Sequence, residues 1–345
     1  MPEPDPAIVG ALRRLQLVGE DETPATRALP GGVSSDIWRV DLPDGPVCVK
    51  RALARLKVDA LWEVPVERSR YEWAWMQEAA RVDPAWVPPL VAQDPRSSCL
   101  VMGFLDPADH PLWKAQLRRG HAHEPTAREV GARLAAIHRA TAGRGDLRDR
   151  FDTTGIFHAI RLEPYLLATA ERHPDLRPRL AGLAAATAET RLALVHGDVS
   201  PKNILVGPRG PVFLDAECAW YGDPAFDVAF CLNHLLLKCL WTPAATPGFL
   251  SCFDGLAGAY LDGADWEPRE RLEARAAGLL PGLLLARVDG KSPVEYLTTE
   301  EARNHVRGAA RRLLREPVAT LAAVRETWAA SLQGEPSPRD GGSRP

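Results

Sequence analysis

The sequence of 345 residues lacks several features that would assign it to a specialised class of protein. Its net charge is −3, so it has no basic excess of the kind that predicts nucleic-acid binding. The longest apolar run, residues 278–288, is too short to span a bilayer and contains Pro281. Residues 1–15 show no basic start followed by an apolar run, which predicts that there is no signal peptide. We therefore expect a chain that binds neither nucleic acid nor a membrane.

The six cysteines form no close Cys-x-x-Cys pair, which argues against a zinc or redox site. Scattered cysteines in a chain of this length are typical of buried apolar positions in a reducing compartment. The expected location is therefore cytoplasmic. Apolar residues make up 46% and charged residues 25% of the chain, which is ordinary for a globular protein. The length favours two lobes over one simple domain.

The first hundred residues are predicted to be rich in β-structure. The sequence Pro43-Asp44-Gly45 is a strong turn signal between two strand-like runs. A helix is expected over residues 64–80, with Pro65 in its first turn. The predicted strands are residues 27–29, 37–42, 47–51 and 99–104.

The remainder is predicted to be mostly helical. Thr126 with Glu129, and Thr298 with Glu301, have the pattern of a capping box at a helix start. Asp223-Pro224 is expected to open a helix that extends to about Lys238. The predicted fold class is α+β, with a small β-rich lobe at residues 1–104, a larger helical lobe at 105–333 and a disordered polar tail at 334–345.

The most informative segment, residues 194–230, holds three polar residues in a fixed order. Asn203 follows Asp198 by five residues, and Asp215 comes twelve residues after Asn203. Two short β-like runs, 204–206 and 211–214, lie between them and predict a hairpin. We expect this hairpin to return Asp215 to the loop that holds the other two.

These residue types suit the transfer of a phosphoryl group to an alcohol, where positioning and charge neutralisation provide most of the catalysis. Asp198 is the candidate to orient the hydroxyl or accept its proton. Mg²⁺ prefers oxygen ligands, and Asn203 and Asp215 supply one amide oxygen and one carboxylate. Glu217 is a further candidate, as a ligand of a second metal.

The order His196-Gly197-Asp198, then Asn203, then a strand-borne Asp215 resembles the aminoglycoside phosphotransferase and choline kinase family. The run 215–227 is similar to the methylthioribose kinase branch of that family. The resemblance extends from about residue 25 to about residue 310 and implies a two-lobed, protein-kinase-like fold. It also implies that ATP and Mg²⁺ bind between a nucleotide-binding lobe and a catalytic, acceptor-binding lobe. In such a fold, His196 and Asp227 support the catalytic loop through hydrogen bonds.

The N-terminal lobe carries independent candidates for nucleotide binding. Gly31, Gly32, Ser34 and Ser35 lie between two strands, where glycines let the backbone approach phosphates closely. Lys50 follows on the next strand and is expected to extend into the cleft. The resemblance implies a carboxylate partner for this lysine on the following helix, and Glu72 matches that position best.

Two further groups of candidates concern adenine and the acceptor. Met102, Gly103 and Leu105 belong to the expected hinge, whose backbone groups would hold adenine. The family often has an acid where Gly103 stands, but hydrogen bonds from the backbone do not need that side chain. Arg287 and Asp289 resemble the acceptor-side wall of methylthioribose kinase-like proteins.

The acceptor is expected to be a small hydroxyl compound, and sugars, hydroxy acids, amino alcohols and aminoglycosides all remain open. The C-terminal half shows no dense acidic group for a polycation, which disfavours an aminoglycoside phosphotransferase. A second hypothesis is a non-catalytic nucleotide-binding protein of the same fold. A third is a protein kinase, disfavoured because few residues separate Asp215 from Asp227. Either a monomer or a homodimer is expected.

Overall fold

A computed structural model describes residues 6–30, 35–53 and 66–333 of the chain. The N-terminal part is a five-stranded sheet with two helices. Its elements are helix α1 (Pro6–Arg14), strands β1 (Ala25–Ala28), β2 (Ser35–Leu42) and β3 (Gly45–Ala52), helix α2 (Arg68–Val82), and strands β4 (Leu90–Asp94) and β5 (Cys99–Gly103). The strand order is β1-β2-β3-β5-β4, and every neighbouring pair is antiparallel.

The two faces of this sheet are covered by different helices. Ile8 and Leu12 of α1 pack with Val49 of β3 on one face. Trp75 of α2 belongs to the larger core, which includes Leu100 of β5. Because side chains alternate along a strand, the residue after Val49 points away from α1 and toward α2. That residue is Lys50, which lies opposite Leu100 in the β3–β5 register.

The rest of the described chain is mostly helical. Two short two-stranded sheets accompany the helices, one of residues 193–195 with 220–222 and one of residues 204–207 with 210–213. In chain order the elements are α3 (Trp113–Arg118), α4 (Glu124–Thr141), α5 (Gly145–Arg150), α6 (Thr154–Phe157), a π-helix (His158–Leu167), α7 (Ala168–Arg172), α8 (Arg177–Glu189), β6 (Ala193–Val195), β7 (Ile204–Gly207), β8 (Gly210–Phe213), β9 (Trp220–Gly222), α9 (Ala225–Trp241), α10 (Thr246–Gly263), α11 (Arg269–Asp289), α12 (Glu300–Arg315) and α13 (Leu321–Leu332).

Helices α4 and α10 form a tightly packed pair in this helical part. A Cβ added at Gly131 of α4 would lie only 2.3 Å from the carbonyl oxygen of Leu256 in α10. Glycine is therefore needed here for the two backbones to approach so closely. A small antiparallel sheet followed by a larger helical part confirms the predicted α+β architecture.

Most of the predicted elements are confirmed. Strands β1, β2, β3 and β5 coincide with the predicted runs, and β7 and β8 form the predicted hairpin. The helix predicted after Asp223 is α9, but it begins at Ala225 with Pro224 at the N-cap, one residue later than predicted; Asp223 accepts a hydrogen bond from the backbone N–H of Ala225 (3.0 Å). Helix α1 and strand β4 were not predicted.

Three further predicted helix starts are wrong in detail. Helix α2 begins at Arg68, later than the predicted residue 64, which lies outside the described residues together with Pro65. Helix α4 begins at Glu124, so Thr126 lies within its first turn and does not cap it. Proline lacks an N–H and fits the first turn, so the helix extends back through Pro125. Helix α12 is capped by Thr299, one residue later than predicted.

In the part of the chain that the structure describes, every helix is too short or too polar to cross a bilayer. The predicted tail, residues 334–345, lies outside the described residues.

Candidate active site

Lys50 and Glu72 form a buried ion pair between the sheet and helix α2. The Lys50 Nζ lies 2.7 Å and 2.8 Å from the two carboxylate oxygens of Glu72. Both side chains are almost fully buried, with exposed fractions of 8% and 3%. The structure therefore brings together the lysine and the helix glutamate that the sequence indicated. This pairing fixes the position of the lysine ammonium between strand β3 and helix α2.

The same ammonium also contacts Asp215, which follows strand β8 in the helical part of the chain. Lys50 thus connects the two lobes. Burial disfavours the charge on Lys50, but Asp215 and Glu72 outweigh it and raise the lysine pKa. Burial likewise opposes ionisation of Asp215, but Lys50 and Lys202 outweigh it and hold the pKa of that carboxyl well below its usual range. Both groups are therefore charged at neutral pH.

Asp215 has a left-handed backbone, with φ of 68°. This conformation is uncommon for residues other than glycine and persists only where the surrounding structure enforces it. Here the peptide N–H of Leu214 donates to the carbonyl oxygen of Asn203 (2.9 Å), which ties the end of β8 to the loop before β7. The residue that departs from the strand conformation is thus the one whose carboxylate contacts Lys50.

The carboxylate of Asp198 contacts three side chains. Its Oδ2 accepts from Asn203 Nδ2 (2.8 Å) and pairs with Arg161 (3.0 Å) and Lys202 (3.1 Å). Burial opposes ionisation of Asp198, but the positive charges of Arg161 and Lys202 outweigh it, so its pKa lies below the ordinary value. The negative charge of Asp215 also acts on Asp198, which places both acids in one site.

Asp227 holds the backbone of the loop that precedes Asp198. Its two carboxylate oxygens accept from the N–H groups of His196 (2.7 Å) and Gly197 (2.8 Å). Its side chain is fully buried and also contacts His138 Nε2 at 3.2 Å. Gly197 has φ of +80°, and a Cβ there would lie 2.7 Å from the carbonyl oxygen of Cys218. The loop therefore needs glycine at the position before Asp198.

The ring of His196 links the loop to the strand that carries Asp215. Its Nε2 lies 3.1 Å from the carbonyl oxygen of Leu214, so it is the donor there. The backbone N–H of Asp198 donates to Nδ1 (3.2 Å), so that nitrogen is unprotonated. Burial lowers the pKa of His196, which keeps the imidazole neutral. The contacts of His196 and Asp227 correspond to the supporting roles predicted for them.

Three residues of this site were not singled out from the sequence: Arg68, Arg161 and Lys202. Arg161 lies in the π-helix, is almost fully buried, and donates through Nε to the carbonyl oxygen of Gly197 (2.5 Å). A signal for Lys202 was available, because it lies four residues after Asp198 within the motif. Arg161 lies 37 residues before Asp198 in a segment without a motif, so only the folded chain reveals their pairing.

The residues predicted to hold Mg²⁺ fit that ion in their donor atoms. Asn203 uses its Nδ2 for Asp198, and its Oδ1 accepts no hydrogen bond from the described part of the chain. Glu217 instead pairs with Arg68 Nε at 2.9 Å, which competes with a metal for that carboxylate. The described residues contain no cluster of three or more His, Cys, Asp or Glu side chains suited to a metal. Mg²⁺ would therefore take Asp215 and Asn203 as ligands, and its other ligands from phosphates and water.

The hinge leaves one backbone donor available. The N–H of Gly103 donates to Pro89 (2.7 Å), and that of Phe104 donates to Pro46 (3.2 Å). Among the described residues, the N–H of Leu105 has no such partner. Met102 lies in the sheet opposite Cys48 and Leu90. Of the predicted adenine-binding positions, Leu105 is therefore the one with a free N–H.

The predicted phosphate loop and acceptor wall are placed only in part. Ser35 is buried at the start of β2, while Gly31, Gly32 and Ser34 lie outside the described residues. Arg287 is buried and donates to the hydroxyl of Tyr165 (3.0 Å). The structure does not bring Asp289 to the catalytic acids as a free group. Its carboxylate is occupied by hydrogen bonds, to Arg307 (2.7 Å) and to His173 (2.8 Å).

Comparison with known proteins agrees with this geometry. The model of the phosphotransferase enzyme family matches residues 25–272. Methylthioribose kinase from Erwinia tasmaniensis is 28% identical over 228 residues, 58% of this chain and 56% of that protein. Methylthioribose kinase 1 from Oryza sativa subsp. japonica is 24% identical over 221 residues, 56% of this chain and 51% of that protein. The chain thus spans little more than half the length of the curated relatives that it matches.

Solved structures show the same fold at low sequence identity. An amicoumacin kinase in complex with AMP-PNP and Ca²⁺ has a TM-score of 0.55 and 13% identity, covering 91% of this chain and 95% of that one. An ethanolamine kinase from Plasmodium vivax has a TM-score of 0.54 and 12% identity, covering 85% and 84%. These similarities confirm the protein-kinase-like fold. Since the family model matches well over half of the chain, the protein belongs to the phosphotransferase enzyme family.

Proposed function

We propose that this protein is a kinase that transfers the γ-phosphate of ATP, with Mg²⁺, to a hydroxyl of a small molecule. The observation that carries the proposal is the contact of one buried lysine, Lys50, with both Glu72 and Asp215. It combines a phosphate-binding cation with an ionised carboxylate, beside the catalytic candidate Asp198. The methylthioribose kinases among the relatives support a sugar-like acceptor, and a hydroxy acid is the other class that the sequence favours.

In the proposed reaction, a bond forms between the acceptor oxygen and the γ-phosphorus while the bond from that phosphorus to ADP breaks. The hydroxyl proton passes to the Asp198 carboxylate, and ADP leaves. Because its pKa is held low, Asp198 is a weak base that accepts the proton late. This suits a loose transition state, in which the nucleophile needs orientation more than early deprotonation.

The other charged residues would neutralise and position the phosphates of ATP. Lys50 would bind phosphate oxygens of ATP, and Glu72 fixes its direction. Lys202 is half exposed, so its ammonium can contact both Asp198 and a phosphate in the cleft. Mg²⁺, when bound to Asp215 and Asn203, would neutralise the charge of the β- and γ-phosphates. Leu105 would donate its free N–H to adenine.

The intact set Lys50, Asp198, Asn203 and Asp215 favours this proposal over a non-catalytic nucleotide-binding protein. A cytoplasmic location, and a monomer or homodimer, remain predictions. The direct test measures ADP release from ATP and Mg²⁺ with a panel of sugars, hydroxy acids, amino alcohols and aminoglycosides. Asp198→Asn should lower turnover by at least ~10²-fold, the low end of general-base effects, while ATP still binds.

The matched control for this test is Asp262→Asn. Asp262 is 69% exposed and pairs with Arg269 at the surface, so its substitution should leave turnover unchanged. Turnover by Asp198→Asn close to that of the control would show that Asp198 is not the base.

A further inference from the structure

Helix α9 carries two basic side chains on the same side as the residue that holds the catalytic loop. Asp227 lies in its first turn, and His234 and Lys238 follow seven and eleven residues later. At 3.6 residues per turn, all three lie within a narrow stripe of the helix. His234 is roughly 10 Å along the axis from Asp227, at 1.5 Å per residue. The stripe thus leads away from the catalytic loop into the helical lobe.

Both basic side chains are buried without full hydrogen bonding. Lys238 is 1% exposed, and its ammonium has no hydrogen-bond acceptor in the described part of the chain. Its Nζ instead lies 4.3 Å from the ring centre of Trp241 and 4.4 Å from that of Tyr296. His234 is 5% exposed, and its Nε2 has no partner among the described residues. Its Nδ1 lies 3.4 Å from the Tyr296 hydroxyl.

Positive charge is concentrated around these two residues. Burial, followed by the charges of Arg287 and Lys238, lowers the pKa of His234 well below its ordinary value. Burial, followed by the charge of Lys114, lowers the pKa of Lys238 to about 7. Glu295 is the carboxylate that favours the charged lysine, but it is 65% exposed and already pairs with Lys114. The surroundings of Lys238 and His234 therefore combine several basic groups, and no buried carboxylate of the described residues acts as their counter-ion.

A buried ammonium without a counter-ion is unfavourable, and the two aromatic faces offset only part of that cost. Proteins retain such destabilising arrangements mainly where a ligand uses them. An anionic oxygen would pair with Lys238 and would accept a hydrogen bond from His234 Nε2–H. The basic charges around Lys238 and His234 also disfavour a polycation, because like charges repel.

We propose that the acceptor carries an anionic oxygen group, a carboxylate or a phosphate, which Lys238 and His234 bind at the end remote from the reacting hydroxyl. This inference rests on the proposed kinase function and specifies its substrate class. The hydroxyl would lie at Asp198, beside the loop that Asp227 holds. At 1.5 Å per residue, His234 and Lys238 lie about 10 Å and about 16 Å along α9 from Asp227, so an acceptor that reaches from the loop to these residues is of sugar size or larger. Trp241 and Tyr296 would contact its apolar faces.

The first test compares acceptors that differ in charge. ADP release is measured with glucose against glucuronate and with ribose against ribose 5-phosphate, and these two pairs separate carboxylate from phosphate. We expect the anionic member of one pair to have the higher kcat/KM. Lys238→Met should raise the KM of that acceptor at least tenfold while the KM of ATP stays unchanged. Higher kcat/KM for a neutral sugar or for kanamycin would overturn the inference.

The second test needs no acceptor. If Lys238 serves a ligand, Lys238→Met removes an unpaired buried charge, and its melting temperature should be equal to or above that of the unaltered protein. A structural role beside the rings of Trp241 and Tyr296 predicts a lower melting temperature, which would overturn the inference. The control is Lys291→Met, because Lys291 is 57% exposed and pairs with Glu163 at 2.6 Å. It should change neither the melting temperature nor the acceptor KM.

The two proposals fail in different ways. Efficient phosphorylation of a neutral acceptor, abolished by Asp198→Asn, would keep the kinase function and end the proposal of an anionic acceptor. Absence of ADP release with every acceptor would count against the kinase function. In that case the melting temperature of Lys238→Met still decides whether Lys238 has a structural role.

Discussion

Replacing Arg161 by methionine tests how the fold positions the carboxylate of Asp198, the proposed catalytic base. Methionine keeps much of the length and the apolar stem but removes the charge, and with it one ion pair and two hydrogen bonds. These contacts join Arg161 to Asp198 (3.0 Å), to the carbonyl of Gly197 (2.5 Å) and to the carbonyl of Ile160 (2.7 Å). Arg161 therefore acts through Asp198 and its loop, as a positioning residue.

The magnitude follows from burial and from what remains around Asp198. Breaking a buried ion pair costs about 3–5 kcal/mol when the other charge is left uncompensated. Here Lys202 and Asn203 still contact the carboxylate, so we expect the lower end, about 3 kcal/mol. With an unfolding entropy of about 2.1 cal/mol/K per residue over 345 residues, that corresponds to a fall of about 4 °C in melting temperature. Since a small misplacement of a catalytic group lowers rates strongly, kcat should fall about 10²-fold.

The pH profile separates positioning from stability alone. Arg161 lowers the pKa of Asp198, so its removal should raise that pKa and move the acid limb of kcat/KM to higher pH. The assay is ADP release across pH at saturating ATP, together with thermal unfolding. Arg177→Met is the matched control, because Arg177 is 52% exposed and pairs with Glu171 at the surface. Such surface pairs contribute about 0–1 kcal/mol.

The reasoning would be refuted if Arg161→Met lowered the melting temperature but left both kcat and the acid limb unchanged. Arg161 would then stabilise the fold without positioning Asp198.

Three further predictions concern the nucleotide half of the site and its support. Asp215→Ala should remove the Mg²⁺ dependence of nucleotide binding, and titrations with and without Mg²⁺ that gave the same dependence would contradict that role. Glu72→Gln should raise the KM of ATP more than tenfold, because Lys50 loses a charge-assisted contact of 2.7 Å. Steady-state kinetics with varied ATP measure this KM, and an unchanged value would argue against the role of Glu72. Asp227→Asn should lower the free energy of unfolding by about 1–3 kcal/mol, because the backbone N–H of His196 or Gly197 then faces an amide NH₂ and loses its acceptor. Chemical denaturation measures this free energy, and an undiminished value would count against the role of Asp227.

The parts of the site that the sequence predicted depend on local spacing. A hairpin must return Asp215 to the loop of Asp198 and Asn203, and the structure has that hairpin at β7 and β8. The family resemblance selected Glu72 among the carboxylates of the next helix. Strand alternation sets the direction of Lys50. Such relations follow from periodicity and turn chemistry within one stretch of chain.

The parts that the sequence did not predict depend on contacts between distant segments. Arg161 lies in a π-helix, whose wider turn has no recognisable periodic pattern, and its partner is 37 residues away. Arg68 meets Glu217 across 149 residues. Nothing in the sequence near Asp289 revealed that Arg307 and His173 occupy its carboxylate. The sequence predicted only that a helix extends to about Lys238. It did not predict that the Lys238 side chain is buried, because burial depends on the tertiary packing.

The most direct test of the central claim follows the γ-phosphate itself. The protein is incubated with Mg²⁺, γ-³²P-labelled ATP and a small-molecule fraction of cell extract, and the labelled products are separated. The proposed function predicts a labelled small molecule that is absent with Asp198→Asn and when Mg²⁺ is removed. Label released only as inorganic phosphate, or a labelled product of equal yield with Asp198→Asn, would contradict it.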